Sequence, residues 1–187
     1  MTNFSYSVLE KSGIMYLRTI IYLEDNTVGS QLTKEERAYI AGFLDGDGSL
    51  MLQMKKRGDS KRGWRFMATI CLYQDSRHDS PLMWMRRKLG IGYLSHRNDG
   101  MTELRINGFK QVREILAMLI PYIRFKKAQA RAIHQACTIL VQTSLNALTT
   151  RDKKRICQCL IEVQKNNYVT HRKKSIEELY SLLGLTP

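Results

Sequence analysis

Thr33 to Ser49, T-K-E-E-R-A-Y-I-A-G-F-L-D-G-D-G-S, constrains this chain more than any other stretch. Thr33 with Glu36 three residues on forms a capping box and predicts a helix starting there. Ala38, Gly42 and Gly46 recur every fourth residue, which lays small side chains down one helix face. Such a face lets a second helix approach almost backbone to backbone. Glycine inside a helix costs about 1 kcal/mol relative to alanine, so packing or chemistry must offset it. Asp45 and Asp47 fall in the last turn, where the negative end of the helix dipole disfavours carboxylates. A bound cation with oxygen ligands would reverse that penalty.

Two solvated aspartates on a glycine-rich helix end are the alternative reading of the same residues. An EF-hand loop fits less well. Its sixth position would hold Leu50 in place of glycine, and its twelfth Lys56 in place of glutamate.

Ile40-Ala41-Gly42-Phe43-Leu44-Asp45-Gly46-Asp47-Gly48-Ser49 closely resembles the signature of the LAGLIDADG homing endonucleases, with Ile in the leading Leu position. The resemblance implies that two motif helices cross at their small faces, here Ala38, Gly42, Phe43 and Gly46. It also implies that the second acidic residue of each motif, Asp47, binds a divalent metal. Only one motif is found in the 187 residues, so a symmetric homodimer is expected.

The net charge of +13 is unevenly spread. Residues 1–48 carry −3, residues 49–107 carry +7, and residues 108–187 carry +9. The motif is thus an acidic spot in a basic chain, which fits a metal site within a phosphate-binding surface. Cys71, Cys137, Cys157 and Cys159 have no ligand spacing and read as reduced thiols. No apolar run reaches the roughly 18 residues of a membrane span, and the first residues lack a secretory leader. An intracellular protein, in cytoplasm or organelle matrix, is the expectation.

After the motif the hydrophobic period changes from helical to two. Leu50, Leu52 and Met54 alternate with Met51, Gln53, Lys55 and Arg57. Beyond a basic turn carrying Lys61 and Arg62, Phe66, Ala68, Ile70 and Leu72 alternate with Arg65, Met67, Thr69 and Cys71. This predicts a hairpin with one apolar face and one mixed face suited to the major groove of DNA. A helix is predicted over Pro81–Leu89, then a second hairpin turning at Asn98-Asp99-Gly100. Tyr93, Ser95, Arg97, Glu103 and Arg105 would continue the groove-facing surface. Helices follow at Gly108–Leu119, Phe125–Val141 (with Ala128, Ile133, Cys137 and Leu140 inward), Arg151–Asn166 and Ser175–Leu183. The apolar stretch Ile14–Leu23 reads as a structural element at the domain edge, and the basic linker 168–174 as solvated or phosphate-gripping.

The predicted class is α+β, resembling the αββαββα core of the family with its saddle-shaped antiparallel sheet. Residues 33–141 would form that core, residues 1–32 an N-terminal extension and residues 142–187 a C-terminal helical extension. Carried over residue by residue, the resemblance makes Asp47 and the Gly46 carbonyl metal ligands. Asp45 becomes a structural helix-end residue. Gln74 falls where the family keeps a water-orienting polar residue, and Lys126 matches its active-site lysine. His78 stands where arginine is common, a departure that leaves its role open. The implied activity is Mg²⁺-dependent double-strand cleavage of a long, near-palindromic DNA site, leaving short 3′ overhangs and promoting mobility of a host intron. Ca²⁺ or Mn²⁺ can occupy the same kind of site. RNA maturases and DNA-binding regulators share the fold, and they are the alternative function.

Overall fold

The computed structural model describes residues 28–29, 31–58, 63–167 and 173–185. Helix α1 (Lys34–Asp47) starts at the expected capping box: Glu36 N donates to Thr33 Oγ1 at 3.2 Å, and Thr33 N donates to Glu36 Oε2 at 3.0 Å. Ile40, Ala41 and Leu44 are buried, whereas Ala38, Gly42 and Gly46 are exposed. The helix passes directly into strand β1 (Gly48–Lys56). A β-carbon on Gly48 would lie 2.7 Å from the Leu44 carbonyl oxygen and 2.9 Å from Leu44 Cα, so this abrupt junction requires glycine.

Strand β1 pairs antiparallel with β2 (Trp64–Asp75), with Leu50 opposite Ile70 and Gln53 opposite Met67. Helix α2 (Ser80–Leu89) has proline in its first turn and ends at Gly90, whose φ of 69° is the left-handed C-cap glycine favours. Strands β3 (Tyr93–His96) and β4 (Met101–Asn107) form the second hairpin, and the antiparallel sheet order is β1-β2-β4-β3. Helices α3 (Phe109–Leu119), α4 (Lys127–Gln142), α5 (Thr150–Asn166) and α6 (Ile176–Leu182) follow. This is the mixed helix-and-strand class read from the sequence.

Leu50, Leu52, Met54, Phe66, Ala68, Ile70 and Leu72 point into one core with residues of α1 to α4. Burial of each of these side chains other than Ala68 contributes about 1.5–3 kcal/mol. Ile156, Leu160 and Val163 of α5 and Leu179 of α6 join the same cluster. Asn167 Nδ2 also reaches the Leu50 carbonyl at 3.4 Å, on edge strand β1.

Three expectations need correction. Helix α4 starts at Lys127, not Phe125, because the N–H groups of Arg124, Phe125 and Lys126 are turned toward Asp45. Ala128 is exposed; the inward face of α4 is Gln129, Ala130, Ile133, Ala136, Cys137 and Leu140. Strand β2 continues to Asp75, beyond the alternation read from Phe66 to Leu72, and is followed by a short 3₁₀ turn, Ser76–His78. The Ile14–Leu23 segment, Lys61, Arg62 and most of the basic linker (168–172) lie outside the described residues.

Candidate active site and nucleic-acid interface

The end of α1 is held by a segment 80 residues away in sequence. Asp45 Oδ2 accepts the N–H groups of Arg124 at 2.6 Å and Phe125 at 3.1 Å, and Oδ1 accepts that of Lys126 at 2.9 Å. Burial works against ionisation of Asp45, but the three backbone donors outweigh it and hold its carboxyl below the ordinary aspartate range. Both oxygens of Asp45 are therefore engaged within the chain.

Lys126 completes the clasp. Its Nζ donates to the carbonyl oxygens of Leu44 at 3.0 Å, Asp45 at 2.5 Å and Gly46 at 3.5 Å. These carbonyls have no intrahelical partner at the C-terminus of α1, and the last turn contains no basic residue of its own. A distant ammonium supplies the missing cation at the negative end of the helix. Burial lowers the Lys126 pKa, against the opposing pull of the Asp45 and Asp47 carboxylates.

Asp47 is exposed and forms no hydrogen bond among the described residues. The two aspartates of one motif thus divide: Asp45 ties α1 to the start of α4, and Asp47 projects outward. Gly46 is exposed beside it in sequence, its carbonyl accepting the 3.5 Å bond from Lys126. Hard oxygen donors of this kind fit Mg²⁺ or Ca²⁺, which complete their shells with water or substrate oxygens. Among the described residues no three His, Cys, Asp or Glu side chains gather as a metal cluster.

Gln74 lies near the end of β2, two residues past Leu72, which pairs with Gly48, the first residue after Asp47. It shares the parity of Ile70 and Leu72 and so leaves the sheet on the side of the core. Its Oε1 accepts the Asp75 N–H at 2.9 Å. Exposed His78 closes the 3₁₀ turn, with no hydrogen bond to Asp47 or Lys126 among the described residues. Lys126 and Asp47 are drawn together; Gln74 flanks them through the strand register; His78 sits apart beside the Asp75–Arg77 ion pair.

The opposite face of the sheet carries the other predicted residues in rows. Lys55 faces Arg65, Gln53 faces Met67, and Met51, Thr69 and Asn107 align across three strands. Ser49, Cys71, Arg105 and Tyr93 align across four, and Tyr73, Glu103 and Ser95 form the next row. Lys55, Arg57, Arg65, Tyr93, Ser95 and Arg97 are exposed; Met51, Gln53, Met67 and Arg105 are half-buried. Three expectations change here. Thr69 is buried and donates to Asn107 Oδ1 at 2.8 Å. Cys71 is fully buried, and burial pushes its thiol up to about 11. Glu103 is also buried, against Arg105 and Cys71. These three lie beneath the surface they were expected to form.

Tyr73 and Asn107 belong to that face and were missed by the sequence reading. The alternation through Met67, Thr69 and Cys71 points to Tyr73 next. Its hydroxyl lies 3.2 Å from Ser49 Oγ, and the Arg97 guanidinium stands 5.8 Å above its ring.

This fold places an outward carboxylate where a small-residue helix meets a four-stranded antiparallel sheet with a basic polar face. A family model described as LAGLIDADG endonuclease matches residues 40–131. The chain is 31% identical over 106 residues to the DNA endonuclease I-CvuI of Chlorella vulgaris, a match covering 57% of this chain and 66% of that protein. It is 24% identical over 157 residues to the DNA endonuclease I-CreI of Chlamydomonas reinhardtii, covering 83% and 93%. In three dimensions it resembles I-CvuI solved in complex with the I-CreI target, with a TM-score of 0.68, 24% identity and coverage of 82% and 97%. The archaeal intron-encoded homing endonuclease I-Vdi141I, complexed with DNA, gives the same TM-score at 21% identity, covering 80% and 95%. The chain belongs to the LAGLIDADG endonuclease family.

Proposed function

We propose that this protein is a site-specific, divalent-metal-dependent DNA endonuclease that acts as a homodimer and promotes mobility of the intron encoding it. The observation that carries this reading is the end of α1, where Asp45 and Lys126 lock the helix terminus and leave the Asp47 carboxylate exposed, with the Gly46 carbonyl beside it accepting only a long bond from Lys126. Relatives named as DNA endonucleases, with structures solved in the presence of Mg or Ca, support it.

Asp47 and the Gly46 carbonyl would hold the metal, preferentially Mg²⁺, with a second chain adding its own Asp47 across the crossed helices. When bound, such an ion neutralises the scissile phosphate and activates water. Lys126, within reach of the Gly46 carbonyl, adds positive charge where the phosphoryl transition state is most negative. Gln74 orients solvent beside it. His78 has the weakest claim, lying with Asp75 and Arg77. The exposed Ala38–Gly42–Gly46 strip, with Phe43 at its edge, is the surface on which the second motif helix lies. The polar sheet face takes the duplex, with Lys55, Arg57 and Arg65 at one end and Tyr93, Ser95 and Arg97 at the other. Each chain cuts one strand of a near-palindromic site inside the cell.

The test is a cleavage selection from a duplex library that includes DNA joined across the intron insertion site, with Mg²⁺ or EDTA. A Mg²⁺-dependent double-strand cut at one sequence, lost in Asp47→Asn while binding persists, is the expected result. Cleavage unchanged by Asp47→Asn would sink the metal assignment. Specific binding without cutting in any divalent metal would leave a maturase or regulator instead.

A further inference from the structure

A carboxylate buried in the middle of a basic, polar sheet face is costly unless it is paired. Glu103, with its side chain 6% exposed, accepts from Arg105 Nε and from the Cys71 thiol at 3.5 Å. Burial opposes its ionisation, yet Arg105 lowers its pKa, and the pairing raises that of Arg105 in turn. Arg105 itself stands on β4 in the row that crosses all four strands, between Cys71 and Tyr93. Its side chain is 32% exposed, and among the described residues its Nη groups form no hydrogen bond. A guanidinium fixed at Nε presents its outer N–H groups as a rigid fork, unlike the mobile point charge of a lysine.

Resting on the proposed activity, we infer that Arg105 reads a guanine in each half-site of the target, and that Glu103 is a positioning residue that aims it without touching DNA. The two free donors match the O6 and N7 acceptors that guanine alone presents together in the major groove. Phosphate is the wrong partner for this arginine. It lies mid-sheet, away from the rims, and the carboxylate beneath it cancels the charge a phosphate contact would use. A neutral pair adds little to salt-dependent affinity but much to discrimination at one base pair.

The test is selection of bound duplexes from a randomised library with Ca²⁺ as the metal, for the full chain and for Arg105→Lys and Glu103→Gln. Wild-type targets should share an invariant guanine pair. Arg105→Lys should lose about 5- to 150-fold preference there, with other positions unchanged. Glu103→Gln should relax the same position by a smaller factor and leave the salt dependence unaltered. Should either variant melt early, 7-deazaguanine at that position in the wild-type target, which removes only N7, should weaken binding alike. An unchanged guanine preference in Arg105→Lys, or a loss of affinity spread evenly over the site, overturns the inference. So does the absence of any sequence-selective binding. A guanine preference that follows Arg105 without cleavage in Mg²⁺ upholds the inference and removes the endonuclease reading.

Discussion

Asp45 and Lys126 are bonded to each other twice, in opposite senses: the Lys126 N–H donates to the Asp45 carboxylate at 2.9 Å, and Lys126 Nζ donates back to the Asp45 carbonyl at 2.5 Å. The reciprocal pair fixes the end of α1 against the approach to α4. It relieves at once the orphan carbonyls of one helix end and the free N–H groups of a turn.

Replacing Asp45 should destabilise the fold. In Asp45→Asn the amide keeps one acceptor oxygen and turns its NH₂ toward backbone donors. A loss of about 1–2 kcal/mol is expected, at the lower end for charged hydrogen bonds because the site is partly solvated. Because folding lowers the Asp45 pKa, its contribution is present above the unfolded value of about 3.9. It fades as pH falls through the folded value. Urea midpoints at neutral and acidic pH should show the variant's deficit shrinking in acid.

Lys126→Met separates chemistry from binding. Cleavage should fall by about 10²-fold or more while target affinity stays within several-fold, as gel shifts and single-turnover kinetics would show. The pH dependence has the same sign as that of Asp45 but falls in an alkaline window. Folding lowers the Lys126 pKa, so between the folded value and about 10.4 the unfolded chain holds a proton that the folded chain releases. Wild-type stability relative to Lys126→Met should therefore rise with pH across that window.

Asp47 should cost stability rather than contribute it. An exposed carboxylate at the negative end of α1 is disfavoured, so without metal Asp47→Asn should match the wild type in stability or exceed it, by about 0.3–1 kcal/mol. Added Mg²⁺ should stabilise only the wild type, through binding to the native state. A lower melting temperature for the metal-free variant would show that Asp47 supports the fold.

Gly42 distinguishes what the chain needs from what a partner needs. A β-carbon built there meets no atom of the described residues within 4 Å. Gly42→Ala should therefore stabilise the monomeric fold by about 1 kcal/mol. Gly42→Leu should leave the monomer folded but abolish the dimer, read by sedimentation velocity. A dimer that persists in Gly42→Leu would place the interface elsewhere.

The core and the elements were legible because their signals are local. The capping box at Thr33, the alternation from Leu50 to Leu72 and the Asn98-Asp99-Gly100 turn each act over a few residues. The start of α4 was not legible: Phe125 has adequate helix propensity, and its N–H is diverted by a carboxylate 80 positions earlier. Cys71 and Glu103 have the parity of the groove-facing residues. Alternation assigns a face but not the height of a side chain within it, and Cys71 and Glu103 lie beneath the surface in contact with each other.

By itself the sequence determined the motif helix, its small open face and the basic sheet, because spacing and charge are written in order along the chain, whereas Asp47, Gln74 and Lys126 were singled out by resemblance to the family motif. The tertiary structure alone decided how two adjacent acids divide their work. Asp45 meets three N–H groups and turns inward as a clasp, whereas Asp47 meets none among the described residues and is exposed. The difference lies in which distant backbone each carboxylate faces, and no local pattern carries that information.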